Sequence, residues 1–291
     1  MSSHKRTGSQ GRALKVTALA SVAALALSAC SAENPASRGW LPGNRGTTSN
    51  TAEITDLWVN SWIAALIVGL ITWALMLWCM VAYRRRKGET GYPRQIAYNV
   101  PLEIMYTIVP LVMVGVLFFY TNEVQRSIDE PYEDPNLVVD VRGKQWAWDF
   151  NYNYEGEERY FAGVQANLTG EEGVRETLPT LYLPVDEPVT FELNARDVIH
   201  SFWIPAFLQK RDMIPGRTNE IHLTPQELGS FDGKCAELCG EYHSEMLFNV
   251  EVVTDEEFRA YLETLPEGQL GDEYDRNPNL HENVAGTEGD D

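Results

Sequence analysis

The stretch "WIAALIVGLITWALMLWCMVAY", residues 62–83, decides the first half of the fold, because its 22 residues carry no charge. At about 1.5 Å per residue, roughly 20 helical residues cross the hydrocarbon core of a bilayer. A second apolar stretch, residues 104–120, is extended upstream by "NVPLE". A buried hairpin in a soluble protein is the alternative, but the uncharged length favours the membrane. The sequence therefore predicts a transmembrane helical hairpin over residues 57–121.

The loop between the two apolar stretches indicates how the hairpin is oriented. Its sequence, "RRRKGETGYPR" at residues 84–94, contains five basic residues. Short loops rich in Lys and Arg stay on the cytoplasmic side of a membrane. We therefore expect this loop inside the cell and both ends of the hairpin outside.

The N-terminus is typical of an exported lipoprotein. Residues 1–29 have a basic start, an apolar run at 16–27 and small residues before Cys30. The sequence "LSAC" at 27–30 matches the bacterial lipobox, in which the cysteine after the cleavage site carries lipid. A plain signal peptide or an unmodified thiol is the alternative. We predict a removable signal peptide over residues 1–29 and lipidation of Cys30.

Two segments have the composition of flexible chain. Residues 31–53 are rich in Ser, Gly, Pro and Asn, which predicts a tether over residues 30–56. Residues 266–291 are polar and acidic, which predicts a disordered tail.

Charge is distributed very unevenly along the chain. Residues 122–291 hold 37 acidic and 12 basic residues, a balance of −25, whereas residues 1–121 have a balance of +6. Nucleic-acid binding needs a basic face, so the acidic half argues against it. An acidic domain attracts a basic partner instead. Four cysteines in 291 residues also exclude a disulfide-rich scaffold.

The chain from residue 136 onward reads as short β-strands between turn signals. The predicted strands lie within residues 136–152, 179–195, 218–225 and 247–254. Their length and punctuation favour a small antiparallel sandwich within a domain at residues 122–265. A short helix at 255–265 closes this domain, with Thr254 as N-cap and Glu257 completing a capping box.

The segment "CAELCGEYHSEM", residues 235–246, gathers oxidisable metal ligands, and His200 in "DVIHSFWIP" is a further ligand candidate. A disulfide would explain only the two cysteines, and structural zinc would leave Met246 without a role. Mononuclear blue copper needs one thiolate, and c-type haem needs Cys-x-x-Cys-His. Two thiolates, two imidazoles, a thioether and a backbone carbonyl fit two copper ions.

With these residues in place, the chain resembles subunit II of the cytochrome c oxidases. The residues that match its binuclear copper (CuA) motif, spacing included, are His200, Cys235, Glu237, Cys239, His243 and Met246. The resemblance covers residues 50–265 and includes "GKQWAWDF" and "IPGRTNE". Nitrous oxide reductase has a similar copper loop without such a hairpin, and quinol-oxidase relatives keep the hairpin without the copper ligands.

The resemblance implies a cupredoxin-like Greek-key sandwich with a two-copper site. Cys235 and Cys239 would bridge both ions, and the two histidines would each bind one. The weak ligands would be Met246 for one ion and the Glu237 carbonyl for the other. The Glu237 side chain matches the residue that reaches a magnesium ion at the border with the catalytic subunit.

The resemblance also implies roles for residues away from the copper loop. Trp146 matches the tryptophan at which electrons enter from cytochrome c, whereas sandwich packing suits Trp148 better. Asp197 belongs to the family's Asp-x-x-His pattern. It is expected to orient the copper site or to help dock the neighbouring subunit. Glu103, at the start of the second apolar stretch, matches the glutamate at the entrance of a proton channel; a carboxylate near a membrane is costly and usually functional.

These implications predict a membrane-anchored subunit that receives electrons for an oxidase. The expected partners are cytochrome c, soluble or membrane-bound, the haem-bearing catalytic subunit I and other oxidase subunits. A membrane-tethered copper carrier or assembly protein is the alternative, and a structural zinc lipoprotein, which would be colourless, is another.

We predict that Cys30→Ala blocks lipid attachment and leaves the protein in the membrane, because two apolar spans remain to hold it. Mass spectrometry of the mature N-terminus, together with membrane fractionation, measures both effects. An unmodified wild-type N-terminus at another residue would show that "LSAC" is a chance match.

Overall fold

The computed structural model describes residues 35–92, 95–166, 168 and 177–271. The predicted signal peptide, Cys30 and residues 272–291 of the predicted tail lie outside the described residues.

Two long helices form the predicted hairpin. Helix α1 spans Thr51–Ala82 and helix α2 spans Val100–Ile128, and both are long and apolar enough to cross a membrane. Most of their large apolar side chains are exposed in the isolated chain, as a lipid environment or neighbouring subunits would require. Both helices extend beyond the apolar stretches. In α1 the additional first turns include Thr51 and Thr55, which are buried.

The rest of the described chain is a β-sandwich of two five-stranded sheets closed by helix α3, Asp255–Thr264. The strands are β1 Leu137–Lys144, β2 Ala147–Tyr154, β3 Glu157–Phe161, β4 Thr180–Pro184, β5 Val189–Ala195, β6 His200–Ile204, β7 Gln209–Met213, β8 Asn219–Leu223, β9 Gly229–Cys235 and β10 Leu247–Val253. One sheet has the order β3-β2-β1-β5-β8 and the other has β4-β10-β9-β6-β7. A helical hairpin followed by an all-β sandwich confirms the predicted fold class.

The expectation of purely antiparallel sheets is wrong for two strand pairs. Strand β1 runs parallel to β5, with Leu137 opposite Val189, and β10 runs parallel to β4, with Asn249 opposite Thr180. Alternation of apolar and polar residues shows which face of a strand is buried, but not the direction of its neighbour. The chain passes from β1 to β5 by way of the opposite sheet, which makes the parallel pairing possible.

The core lies between the sheets and is built largely from aromatic rings. Trp148 and Phe202 both pack on Phe248, with ring centroids 5.1 and 5.2 Å away. All three side chains are almost fully buried, and each contributes the burial energy of a large apolar group. Gly233 on β9 makes room for this cluster, since a Cβ there would lie 2.1 Å from the Phe248 ring.

The segment before α1 packs on the sandwich instead of forming the predicted free tether. Thr47 and Thr48 are buried. The amide of Gln226 donates to the Thr47 carbonyl at 2.9 Å, and the Thr47 hydroxyl donates to Glu227 at 2.9 Å. Polar composition did not reveal this contact, because its partners lie about 180 residues further along the chain.

The C-terminal end combines a confirmed prediction with a correction. Helix α3 has the predicted capping box, with the Thr254 hydroxyl and the Glu257 carboxylate each bonded to the other's backbone N–H. Residues 266–271, predicted to be disordered, pack on the sandwich, and Leu270 is buried. The Asn151 side chain of β2 forms hydrogen bonds with the Leu270 backbone, a contact that the composition of the tail alone could not predict.

Candidate metal centre

The predicted copper ligands lie on two strand ends and on the loop that follows Cys235 up to β10. Strand β6 begins with His200, and β9 ends with Cys235. These strands pair through Phe202 and Cys235, which brings residues 35 apart in sequence to the same edge. A 3-10 helix at His243–Glu245 and the start of β10 then complete the loop.

The two thiols lie at the centre of the ligand group. Their sulfur atoms are 3.9 Å apart, so they are separate thiols rather than a disulfide, whose S–S bond is about 2.05 Å. His200 Nδ1 lies 3.9 Å from the Cys235 sulfur, and His243 Nδ1 lies 3.5 Å from the Cys239 sulfur. The candidate ligand atoms of His200, Cys235 and Cys239 lie within 4.8 Å of one another, and all three residues are buried.

Both predicted weak ligands border the thiols. Met246 is buried, with Sδ 3.8 Å from the Cys239 sulfur. The Glu237 carbonyl oxygen is 3.2 Å from the Cys235 sulfur, whereas the Glu237 residue as a whole is exposed. The structure therefore brings together all six residues of the predicted motif, with the Glu237 contribution coming from its backbone.

Asp197 holds the His200 ring in place. One of its carboxylate oxygens lies 2.8 Å from His200 Nε2, and the carboxylate also accepts hydrogen bonds from the amides of Gln145 and Val198, each at 2.7 Å. Burial opposes a charged imidazole, but the hydrogen bonds to Asp197 and Cys235 outweigh it and raise the pKa of His200. When the neutral imidazole donates its Nε2 proton to this carboxylate, Nδ1 is the nitrogen whose lone pair faces the thiols.

The thiol pair is electrostatically coupled. The neighbouring Cys239 thiol chiefly, with His200 adding to it, holds the pKa of Cys235 well below its usual value despite burial. The pKa of Cys239 is raised by the Cys235 sulfur beside it and by burial. One thiolate therefore forms readily, and a bound metal ion would stabilise the second.

This donor set fits copper better than it fits the alternatives. A tetrahedral zinc site would use the two thiolates and two imidazoles, and would leave the buried thioether and the nearby carbonyl without a role. A single blue-copper site would use only one of the thiolates. Two adjacent thiolates with an imidazole near each sulfur and two weak donors provide ligands for two soft, redox-active ions.

Trp146 lies against the loop that carries the ligands. Its half-buried ring contacts Tyr242 edge to face, with centroids 4.9 Å apart. Next to it, the Gln145 side chain donates a hydrogen bond to the Cys239 carbonyl at 2.7 Å. Gly240 has φ +129°, and a Cβ there would lie 3.0 Å from the Trp146 ring, so glycine allows the loop to approach the tryptophan closely.

Trp148 occupies a different environment, as its predicted packing role requires. It is fully buried in the core, and its indole N–H donates to the Met246 carbonyl at 3.4 Å. The two tryptophans of "KQWAW" are therefore half-buried and fully buried respectively, and both contact the loop that carries the ligands.

Glu103 lies far along the chain from the metal ligands, at the start of α2. Its carboxylate accepts a hydrogen bond from the Asn99 amide at 3.1 Å, and the Asn99 side chain accepts one from Leu102 at 3.3 Å. Glu103 thus helps to cap a helix, a local role that the sequence reading missed. The Asn-x-x-x-Glu spacing around Pro101 is the signal that would have indicated it.

Sequence comparisons identify relatives of this chain. The family described as "Cytochrome C oxidase subunit II, periplasmic domain" matches residues 137–253. A probable cytochrome c oxidase subunit 2 of Streptomyces avermitilis is 41% identical and aligns over 77% of this chain and 79% of its own. Cytochrome c oxidase subunit 2 of Mycobacterium tuberculosis is 33% identical, over 92% of this chain and 86% of its own.

Among solved structures, the periplasmic domain of subunit II of cytochrome oxidase from Bradyrhizobium japonicum is 34% identical, with a TM-score of 0.40. The match covers 45% of this chain and 94% of that domain. The sequence relatives, aligned over most of both chains, confirm the resemblance found in the copper-loop motif. This chain belongs to the cytochrome c oxidase subunit II family.

Proposed function

We propose that this chain accepts electrons from cytochrome c at a two-copper CuA centre and passes them to haem in the catalytic subunit of an oxidase. That subunit reduces oxygen to water, coupled to proton translocation. The observation that carries the proposal is the pair of buried thiols 3.9 Å apart, with an imidazole Nδ1 within 3.9 Å of each. Family membership supports the same role.

In this proposal Cys235 and Cys239 bridge the two copper ions, and His200 and His243 bind one ion each. Met246 and the Glu237 carbonyl are the weak ligands. The bound pair supplies a one-electron site in which the electron is shared between two metals. The protein contributes rigidity and exclusion of water, because His200 and Cys235 sit at strand ends and four of the ligand residues are buried.

We place the point at which electrons enter at Trp146. Its ring is half-buried and contacts the loop between Cys239 and His243 through Tyr242 and Gly240. A π-system in that position joins the surface to the ligand group. The balance of −25 over residues 122–291 provides a field that attracts a basic cytochrome.

Two carboxylates have proposed roles at the border with the catalytic subunit. Glu237 is exposed beside the copper loop, where its side chain is available to a magnesium ion shared with that subunit. Glu103 lies at the end of α2 that follows the basic loop, and we propose that it lines the entrance of a proton channel.

The proposed placement is the cell membrane, with two spans, the copper domain outside and a lipid on Cys30. The basic loop at 84–94 supports this orientation. The boundaries proposed from the sequence are a signal peptide at 1–29, a hairpin at 57–121 and a cupredoxin-like domain at 122–265; in the fold the hairpin helices span Thr51–Ala82 and Val100–Ile128, and residues 266–271 join the sandwich.

We predict that the full-length chain in detergent binds two copper ions and is purple. An electron shared by two equivalent copper nuclei gives a seven-line hyperfine pattern, which EPR measures. Cys235→Ser should abolish that pattern because it removes a bridge. Met246→Leu should keep the copper and change mainly the potential, because the thioether is a weak ligand. A colourless zinc protein or a four-line pattern would contradict the proposal.

We predict that Trp146→Gln slows electron transfer from cytochrome c by orders of magnitude and leaves the copper spectrum unchanged, because the ring conducts electrons and binds no metal. Stopped-flow reduction of the assembled oxidase measures the rate. Trp40→Gln is the matched control, since Trp40 is an exposed tryptophan in the segment before α1.

The same measurement across a salt series distinguishes the two kinds of donor. A basic soluble donor should react more slowly as salt shortens the Debye length from about 30 to about 10 Å. A donor held within the complex should show little change. Loss of copper in Trp146→Gln would instead place this residue in the structural core.

We predict that Glu103→Gln slows proton-coupled turnover of the oxidase without changing the copper spectrum. Glutamine can still accept the hydrogen bond from Asn99, so the helix cap stays while the proton-carrying group is lost. Glu123→Gln, near the opposite end of α2, is the control. Turnover equal to wild type across the pH range would leave Glu103 with the capping role alone.

A further inference from the structure

A buried ion cluster lies next to the candidate metal centre. The Asp149 carboxylate is fully buried and bonds to Lys144 Nζ and to Arg196 Nε, each at 3.1 Å. Burial raises the pKa of Asp149, and the two cations oppose that rise. Both cationic side chains are themselves about 95% buried, so the three groups form one tightly packed unit.

Arg196 connects this cluster to the support of His200. Its own amide donates to the Gly143 carbonyl at 2.9 Å. Gly143 in turn lies against the His200 ring, since a Cβ there would be 3.0 Å from Cδ2. The residue after Arg196 is Asp197, whose carboxylate accepts from Gln145 and lies within hydrogen-bond distance of His200 Nε2. Arg196 and Asp197 are adjacent in the chain, so the bond from the Arg196 amide to the Gly143 carbonyl holds the same backbone segment that carries the Asp197 carboxylate.

The other side of Arg196 is held by the C-terminal strap, which we define as residues 266–271. The buried Asn151 side chain donates to the Leu270 carbonyl at 3.1 Å and accepts from the Leu270 amide at 2.8 Å. Leu270 is itself buried. The next carbonyl, that of Gly271, accepts a hydrogen bond from the Arg196 guanidinium.

The strap is also bonded to strand β3. The Tyr160 amide donates to the Pro266 carbonyl at 3.2 Å, and the Gly268 amide donates to the Glu158 carbonyl at 3.1 Å. Six residues thus make four backbone or amide contacts with two strands before reaching Arg196. Hydrogen bonds therefore connect the end of the domain, through the strap, to Arg196 beside the candidate metal centre.

We propose that the strap and Arg196 are positioning elements of the copper centre, acting on His200 through Asp197. The inference rests on the proposed CuA function. A carboxylate that accepts from the N–H of a metal-binding imidazole fixes the ring and makes it a stronger donor. Stronger donation stabilises the oxidised metal pair more than the reduced pair.

Loss of the strap should therefore raise the reduction potential of the centre. Without Gly271 the guanidinium loses one of its fixed partners, and the Arg196–Asp197 backbone gains freedom. The expected change is up to about tenfold in the redox equilibrium constant, which corresponds to roughly 59 mV for one electron. The copper hyperfine pattern should broaden or split, because the His200 environment becomes heterogeneous.

The experiment compares truncations of the full chain, each purified in detergent and loaded with copper. A stop after Leu265 removes the strap and the tail, and a stop after Gly271 removes only the tail and serves as the matched control. Arg196→Lys is the second variant, because lysine can keep the ion pair with Asp149 but lacks the fork that also reaches Gly271. Redox titration, EPR and thermal unfolding are measured for each.

A raised potential for the stop after Leu265 and for Arg196→Lys, with a wild-type potential for the stop after Gly271, supports the inference. Combining the two changes should add nothing further, since both act through one contact. Tyr154→Phe controls for stability, because it loses its hydrogen bond to Asp255 at the other end of β2.

A lowered melting temperature with wild-type potential and EPR in both variants would overturn the inference and reduce the strap to a stabilising contact. If the chain that stops after Leu265 fails to fold, the reduction potential and EPR pattern of Arg196→Lys alone test the inference in the same way. Absence of a two-copper EPR pattern in the wild-type chain would instead overturn the proposed function, so the two failures are distinguishable.

Discussion

The short pairing between β6 and β9 is the interaction on which the metal centre depends. Only Phe202 with Cys235 and Trp203 with Lys234 pair here, yet this contact brings His200 to the thiols from 35 residues away. The Ala236 amide extends the pairing by donating to the Ser201 carbonyl at 3.0 Å. The remaining ligands follow Cys235 in one loop, whose far end is held because the Cys235 amide donates to the Met246 carbonyl at 2.9 Å. Both ends of the ligand loop are thereby tied to the sheet.

This construction suits a site that changes charge without changing shape. His200 and Cys235 are attached to strand ends, and the core of the sandwich contains closely packed aromatic rings. Asp197 orients one imidazole from behind, and Gln145 holds the loop through the Cys239 carbonyl. In the proposed function, such a preorganised site limits how much of the surrounding protein has to reorganise when an electron arrives. The acidic exterior would act on the proposed basic donor at a distance, without contacting the ligand group.

The sandwich is also attached to the helical hairpin at several points. The segment before α1 bonds to Glu227, and the Asn50 side chain donates to the His222 carbonyl at 2.8 Å. On the other helix, Arg211 of β7 forms an ion pair with Asp129, just after α2. These contacts set the height and orientation of the ligand group relative to the two apolar helices. A rigid attachment of this kind suits the proposed function, in which the site delivers electrons to a fixed acceptor in a neighbouring subunit.

The sequence by itself determined the two apolar helices, the all-β domain and the capping box of α3, and it predicted the six residues that the fold brings together at the candidate metal centre. These features are local, because they depend on hydrophobic length, alternation or ligand spacing within one segment. Only the tertiary structure decided the parallel pairing of β1 with β5, the packing of residues 35–50 and 266–271, and the cluster around Asp149. Each of these joins polar groups that lie far apart in the chain. A polar side chain in sequence looks the same whether water or a distant buried partner satisfies it, and only the folded chain reveals which partner it has.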